Sequence, residues 1–131
     1  MVRFKDIFLW AWQSPQNVLG RFLAAAYGCR YRYAYRGCLV HVSSRFPGGI
    51  SLGRHIIVGK DTPMTLAHEY GHCLQSRILG PLYLPVVGLW SGLRAWLRLY
   101  RTGRYYDSFP ENWADRLGGV RHDRYGGRHL A

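Results

Sequence analysis

The chain has 131 residues, 48% of them hydrophobic, which is room for one modest domain with a packed core and excludes global disorder. Its 18 basic and 7 acidic side chains leave a formal charge of +11, which directs attention to polyanionic partners such as nucleic acid or an anionic membrane surface. Three cysteines, with no Cys-x-x-Cys pair, exclude a disulfide-stapled scaffold and a thiolate zinc knuckle.

In chain order, residues 1–30 read as an N-terminal amphipathic helical segment. Arg3 and Lys5 precede an apolar run, Ile7 to Trp12, that Gln13-Ser14-Pro15-Gln16-Asn17 soon interrupts. The run is short for the apolar region of a signal peptide, so the pattern predicts two short helical pieces broken at Pro15. Trp10, Trp12, Phe22 and Leu23 suit a membrane interface with Arg3, Lys5 and Arg21 toward the headgroups. They suit a helix covering the core of a small domain equally well.

From Tyr31 to Gly59 the period changes to two. Leu39-Val40-His41-Val42-Ser43, Ile50-Ser51-Leu52 and His55-Ile56-Ile57-Val58 are β-rich and punctuated by Gly37, Pro47-Gly48-Gly49, Gly53 and Gly59. This predicts a small antiparallel sheet of two to four strands. Cys29 and Cys38 could face each other across a hairpin, as reduced thiols. Further on, the uncharged run from Ile78 to Leu93 contains Gly80, Pro81, Pro85, Gly88 and Gly92. It is shorter than the roughly 20 apolar residues of a membrane span and is interrupted. It reads as a hydrophobic loop or lid leading into a basic amphipathic helix that carries Arg94, Arg98, Arg101 and Arg104. Residues 120–131 read as a flexible basic tail.

Between the strands and the lid lies the segment that carries chemistry. Thr62-Pro63 supplies a cap and a first-turn proline, and Gly80-Pro81 a stop, so a helix of four to five turns is expected there. His68 and His72 are four apart and share one face of it. Two neutral imidazoles so placed can both ligate one Zn²⁺. Glu69, beside the first, can act as general base toward water, which makes the whole a His-Glu-x-x-His pattern. The only other glutamate of the chain is Glu111. It opens a second short helix, with Ser108 or Phe109 as cap, Pro110 in the first turn and Gly118-Gly119 as its end. Glu111 can supply the third protein ligand, and Asp115, one turn on, can accept the ring N–H of His68.

His68-Glu-x-x-His72 followed by Glu111-x-x-x-Asp115 resembles the gluzincin clan of zinc metallopeptidases. The stretch Glu111 to Arg116 is similar to the integral-membrane gluzincins that include the CAAX-prenyl and heat-shock proteases. The small size is more like the minigluzincins, and Gly49 to Gly119 resembles small bacterial proteins carrying His-Glu-Tyr-Gly-His. The resemblance implies an α+β, zincin-like domain over residues 31–119, its sheet packed on the motif helix and on the short helix that bears Glu111. It also implies a strand along the cleft that pairs with an extended peptide, for which Ile50 to Val58 is the candidate. An oxyanion donor is expected as well. Tyr105, Tyr106 and His122 are available, and Tyr106 is favoured.

Two functions of different class follow. In the first, the chain is a zinc metalloendopeptidase that hydrolyses a peptide or protein substrate, with His68, His72 and Glu111 on Zn²⁺ and Glu69 as base; a domain this small leaves latency open. In the second, it is a basic module that binds a membrane periphery or, ranking lower, nucleic acid, and its zinc is structural or vestigial. Either would operate in the cytoplasm or at the inner face of the membrane.

Overall fold

Two helices open the chain, α1 (Phe4–Trp12) and α2 (Ser14–Tyr27), and they meet at Gln13 with Pro15 in the first turn of α2, where its missing N–H is no loss. The computed structural model describes residues 3–97, 109–124 and 127–131. Four strands follow: β1 (Tyr31–Tyr35), β2 (Cys38–Val42), β3 (Gly49–Leu52) and β4 (His55–Val58). Arg36 and Gly37 both take positive φ, 48° and 81°, the backbone that closes a two-residue hairpin between β1 and β2.

The strands form one sheet in the order β1-β2-β4-β3. The expected all-antiparallel pairing is corrected at its centre, where β2 and β4 run parallel with Leu39 opposite His55 and Val42 opposite Val58. The β3–β4 hairpin folds back so that β4 lies beside β2 and β3 is left at the edge. Alternation in sequence marks strands, but it carries no information on which strands become neighbours.

Cys38, Val40 and Val42 of β2, with Ile56 and Val58 of β4, face Leu66 and Cys73 of helix α3 (Pro63–Leu79) and form the core. Cys38 therefore lies in the core with Cys73 and does not face Cys29, whose Sγ is 3.3 Å from His41 Nδ1; all three thiols are free. On the other face of the sheet α2 packs near Leu52 and His55. The N-terminal helices thus belong partly to the domain: α2 buries Gln16, Asn17, Gly20 and Ala24, whereas α1 buries none of its own residues.

The start of α3 has the cap its sequence announces: Thr62 Oγ1 accepts the Thr65 N–H at 3.2 Å, and Gly80 ends the helix with φ 56°. Beyond it the expected loop is helical instead. A 3₁₀ turn (Gly80–Leu82), a π turn (Leu84–Gly88) and α4 (Leu89–Trp96) follow in direct succession. Pro81 and Pro85 are tolerated because each occupies the first positions of its turn. Of the predicted basic helix only the part up to Leu97 lies within the described residues. No described helix is long and apolar enough to cross a membrane.

Helix α5 (Glu111–Gly118) crosses α3 at very short range. Pro110 stands at its N-cap position, Gly119 closes it with φ 86°, and Ser108 lies outside the described residues. A Cβ on Gly71 would fall 1.8 Å from the Ala114 carbonyl oxygen, and one on Gly118 1.8 Å from that of Ala67. The two glycines let the helix backbones touch, which brings Glu111 over the histidines of α3. The segment expected as a flexible tail instead forms a hairpin of β5 (Val120–His122) and β6 (Arg128–Leu130), with Val120 opposite Leu130. Arg128 holds it by an ion pair, and His122 by a hydrogen bond, to Asp115 of α5. The domain is α+β, with a four-stranded mixed sheet between helices and a two-stranded hairpin beside α5.

Candidate metal centre

Three side-chain atoms converge between α3 and α5. His68 Nε2 and His72 Nε2 are 3.2 Å apart, and Glu111 Oε2 lies 2.9 Å from the first and 3.0 Å from the second. All three residues are buried. Tetrahedral ligands at about 2.0–2.1 Å from a zinc ion stand about 3.3 Å from one another, so the triangle has the size of one face of such a site. It is the cluster of metal-ligating side chains found among the described residues.

The other ring nitrogens are already engaged, and this fixes which lone pairs face inward. Gln75 Nε2 donates to the Pro110 carbonyl at 2.9 Å, so its Oε1 must accept from His72 Nδ1–H, at 2.7 Å. His68 Nδ1–H donates to Asp115 Oδ1 at 2.5 Å. In their neutral form both imidazoles are thereby Nδ1–H tautomers, with the Nε2 lone pair turned toward the triangle. Glu111 is steadied from the far side by the Ser91 hydroxyl of α4, which donates to Oε1.

Asp115 is fully occupied. Its Oδ1 also accepts from Arg128 Nη2 at 2.6 Å, and its Oδ2 from Arg128 Nε at 2.8 Å and His122 Nε2 at 2.6 Å. With two donors on each oxygen it has no lone pair for a metal, which leaves Glu111 as the carboxylate of the triangle.

The electrostatics follow from this crowding. Burial works against a charge on His68, but the Asp115 and Glu111 carboxylates outweigh it and raise its pKa to about 9. Burial would raise Glu111, yet the two imidazoles hold its carboxyl far below the usual carboxylate range. For Asp115 burial is likewise overcome, by His68 first and then by Arg128. Three acceptor atoms at about 3 Å repel one another, and the group therefore attracts positive charge, a proton or a metal cation.

The triangle forms part of the wall of a cavity of about 720 Å³, lined also by β3, the π turn and α4. Glu69 faces this cavity. Its Oε2 accepts the Ser51 hydroxyl at 2.8 Å, and a Cβ at Gly49 would lie 2.6 Å from its Oε1, so a glycine at that point of β3 makes room for the carboxylate. Ile50 of the edge strand lines the same cavity, and Tyr83 Oη donates to the Ser51 carbonyl at 2.8 Å.

Comparison with protein-family models, with curated proteins and with solved structures finds no match. The assignment of the site therefore rests on its own geometry.

His68, His72, Glu69, Glu111 and Asp115, the residues singled out from the sequence, come together at this one place. Tyr105 and Tyr106 lie outside the described residues. His122, the remaining oxyanion candidate, is bound to Asp115 and is not among the residues lining the cavity. Sequence reading missed Gln75, Ser51, Ser91 and Arg128. Gln75 follows His72 by three positions on the same helix face, a spacing that could have revealed it. The others reach the site from separate elements, and no local signal marks them.

Proposed function

We propose that this chain is a zinc-dependent hydrolase of peptide bonds. The observation that carries the reading is the triangle of His68, His72 and Glu111 atoms, 2.9–3.2 Å on each edge, with Glu69 beside it at a cavity wall. Two neutral imidazoles and a carboxylate are a donor set suited to Zn²⁺. Bound there, the ion would supply Lewis acidity, polarising a carbonyl and making water acidic enough to lose a proton near neutral pH. Glu69 takes that proton as general base and returns it to the leaving amine. Ser51, donating to Glu69 Oε2, orients the carboxylate for both transfers. The edge strand β3 offers backbone groups along the cavity, where an extended peptide can add as a further strand.

Metal analysis and a peptidase assay test the reading together. Purified protein should carry about one zinc per chain and lose it on His68→Ala. Glu69→Gln should keep the zinc and lose hydrolysis by a factor of at least about 10². A wild-type protein that binds no zinc overturns the proposal, and so does a zinc-loaded Glu69→Gln protein that remains as active as the wild type.

A second reading is favoured by α1. Phe4, Ile7, Phe8 and Trp10 of that helix are all more than half exposed, and the cations Arg3 and Lys5 at its start are exposed as well. In this reading the chain lies at an anionic membrane surface and the metal is structural. Co-sedimentation with anionic vesicles by a protein that hydrolyses nothing would support it.

A further inference from the structure

A second cavity, of about 500 Å³, lies on the face of the sheet opposite the metal centre. Its wall is made by α1 and α2 on one side and by β1, β2 and the β3–β4 turn on the other. Arg21, Arg32 and Arg54 line it, with His41, His55 and Trp10. No carboxylate is among its lining residues. Among the described residues none of the three guanidinium groups makes an ion pair. In a chain with 7 acids, of which Glu69, Glu111 and Asp115 lie at the candidate metal centre, these three exposed arginines give the cavity a positively charged lining with no acid in it.

His41 Nε2 and His55 Nδ1 are 3.0 Å apart and share one hydrogen bond, so one ring donates and the other accepts. Burial lowers the pKa of both; Arg32 lowers His41 further, and His55 falls to about 4 through burial, then the neighbouring His41, then Arg54 and Arg21. The pair is neutral at physiological pH, and the charge of the cavity comes from the arginines.

We propose that this cavity is an anion site that takes a phosphate group, carried by a lipid headgroup or by a soluble phosphate ester. A carboxylate is satisfied by one guanidinium fork. Three forks in one cavity match a group with more acceptor oxygens and a double charge. The volume far exceeds that of a bare phosphate, and Trp10, Val18 and Leu39 in the wall give an organic portion an apolar surface. Trp10 belongs to α1, which also exposes Phe4, Ile7 and Phe8, apolar side chains suited to the acyl boundary of a lipid whose headgroup the cavity would take. The site is separate from the metal centre and stands whether or not the chain hydrolyses peptides.

Calorimetric titration with inorganic phosphate and pyrophosphate, and co-sedimentation with phosphatidylglycerol–phosphatidylcholine vesicles, test the proposal on the full chain. The comparison uses wild type, the variant Arg21→Gln/Arg32→Gln/Arg54→Gln, and a charge-matched control, Arg45→Gln/Arg116→Gln/Arg121→Gln. Circular dichroism verifies that each is folded. Wild type should bind at least one probe, and each cavity arginine removed should weaken binding about tenfold or more, while the control changes it little. Binding of vesicles without soluble phosphate assigns a lipid headgroup, and binding of pyrophosphate without vesicles assigns a soluble ester. No binding of any probe by the wild type overturns the proposal. Equal weakening in the cavity variant and the control also overturns it, because net charge alone would then be the attraction. A folded single variant, Arg32→Gln, keeps the test decisive if the triple variant does not fold.

Discussion

Asp115 shows how one side chain can govern a site it does not touch as a ligand. Its two oxygens accept four hydrogen bonds from three residues, and the one to His68 decides which imidazole nitrogen faces Glu111. In Asp115→Asn, an amide NH₂ replaces one acceptor and confronts donors from Arg128 together with either His122 or His68. The ring of His68 then loses its fixed tautomer and part of its basicity. Zinc affinity should fall by about 10–100-fold, measured by competition with a chromophoric chelator. Arg128→Lys keeps the charge but not the fork, so a smaller loss is expected. Unchanged zinc affinity in Asp115→Asn would show that the position of His68 is set by α3 alone.

At the scale of elements, the closeness of α3 and α5 makes the site possible. In Gly71→Ala the new methyl would fall 1.8 Å from a backbone carbonyl of α5, and no rotamer change can relieve that overlap. The helices must separate, at a cost of about 1–3 kcal/mol or more, and Glu111 moves with α5. Thermal unfolding should therefore drop by several degrees and zinc affinity should fall with it. Gly92→Ala in α4, where nothing lies within 4 Å of the added carbon, should be neutral or slightly stabilising in the same measurement. The sequence makes much of this architecture readable, for local reasons. Thr62-Pro63 and Gly80-Pro81 bracket α3 because capping involves groups within a turn of each other. The face shared by His68 and His72, and the face of Glu111 and Asp115, follow from helical spacing alone. The parallel β2–β4 pairing and the closing hairpin are not readable, because the contacts that decide them are distant in sequence. Arg128 in particular lies in a Gly- and Arg-rich stretch whose composition suggests a loose tail, and only its ion pair with Asp115 shows otherwise.

For the whole molecule, the formal charge of +11 conceals an uneven distribution. Three of the seven acids, Glu69, Glu111 and Asp115, lie at the candidate metal centre and none lines the arginine cavity on the opposite face, and His68 of the first site responds to pH in the opposite way to His41 and His55 of the second. His68, raised to about 9, contributes stability that is fully present below its ordinary 6.5 and is lost as pH rises through 9. His41 and His55 are lowered, His55 to about 4, so the unfolded chain binds protons first and stability falls as pH drops from 6.5 toward 4. Glu111 and Asp115, both held below the usual carboxylate range, contribute stability that is present above their ordinary values of 4.5 and 3.8 and is lost under more acid conditions. Chelator-stripped protein should thus be most stable near pH 6.5, with melting temperature declining on both sides. Saturation with zinc removes the alkaline decline, because a cation then occupies the place of the proton that His68 would otherwise lose. The acid decline persists, and grows as the ligands are protonated and the metal leaves. Melting curves from pH 4 to 9.5, with zinc and with chelator, read both limbs. An alkaline decline of equal size with and without zinc would mean that His68 does not hold the metal.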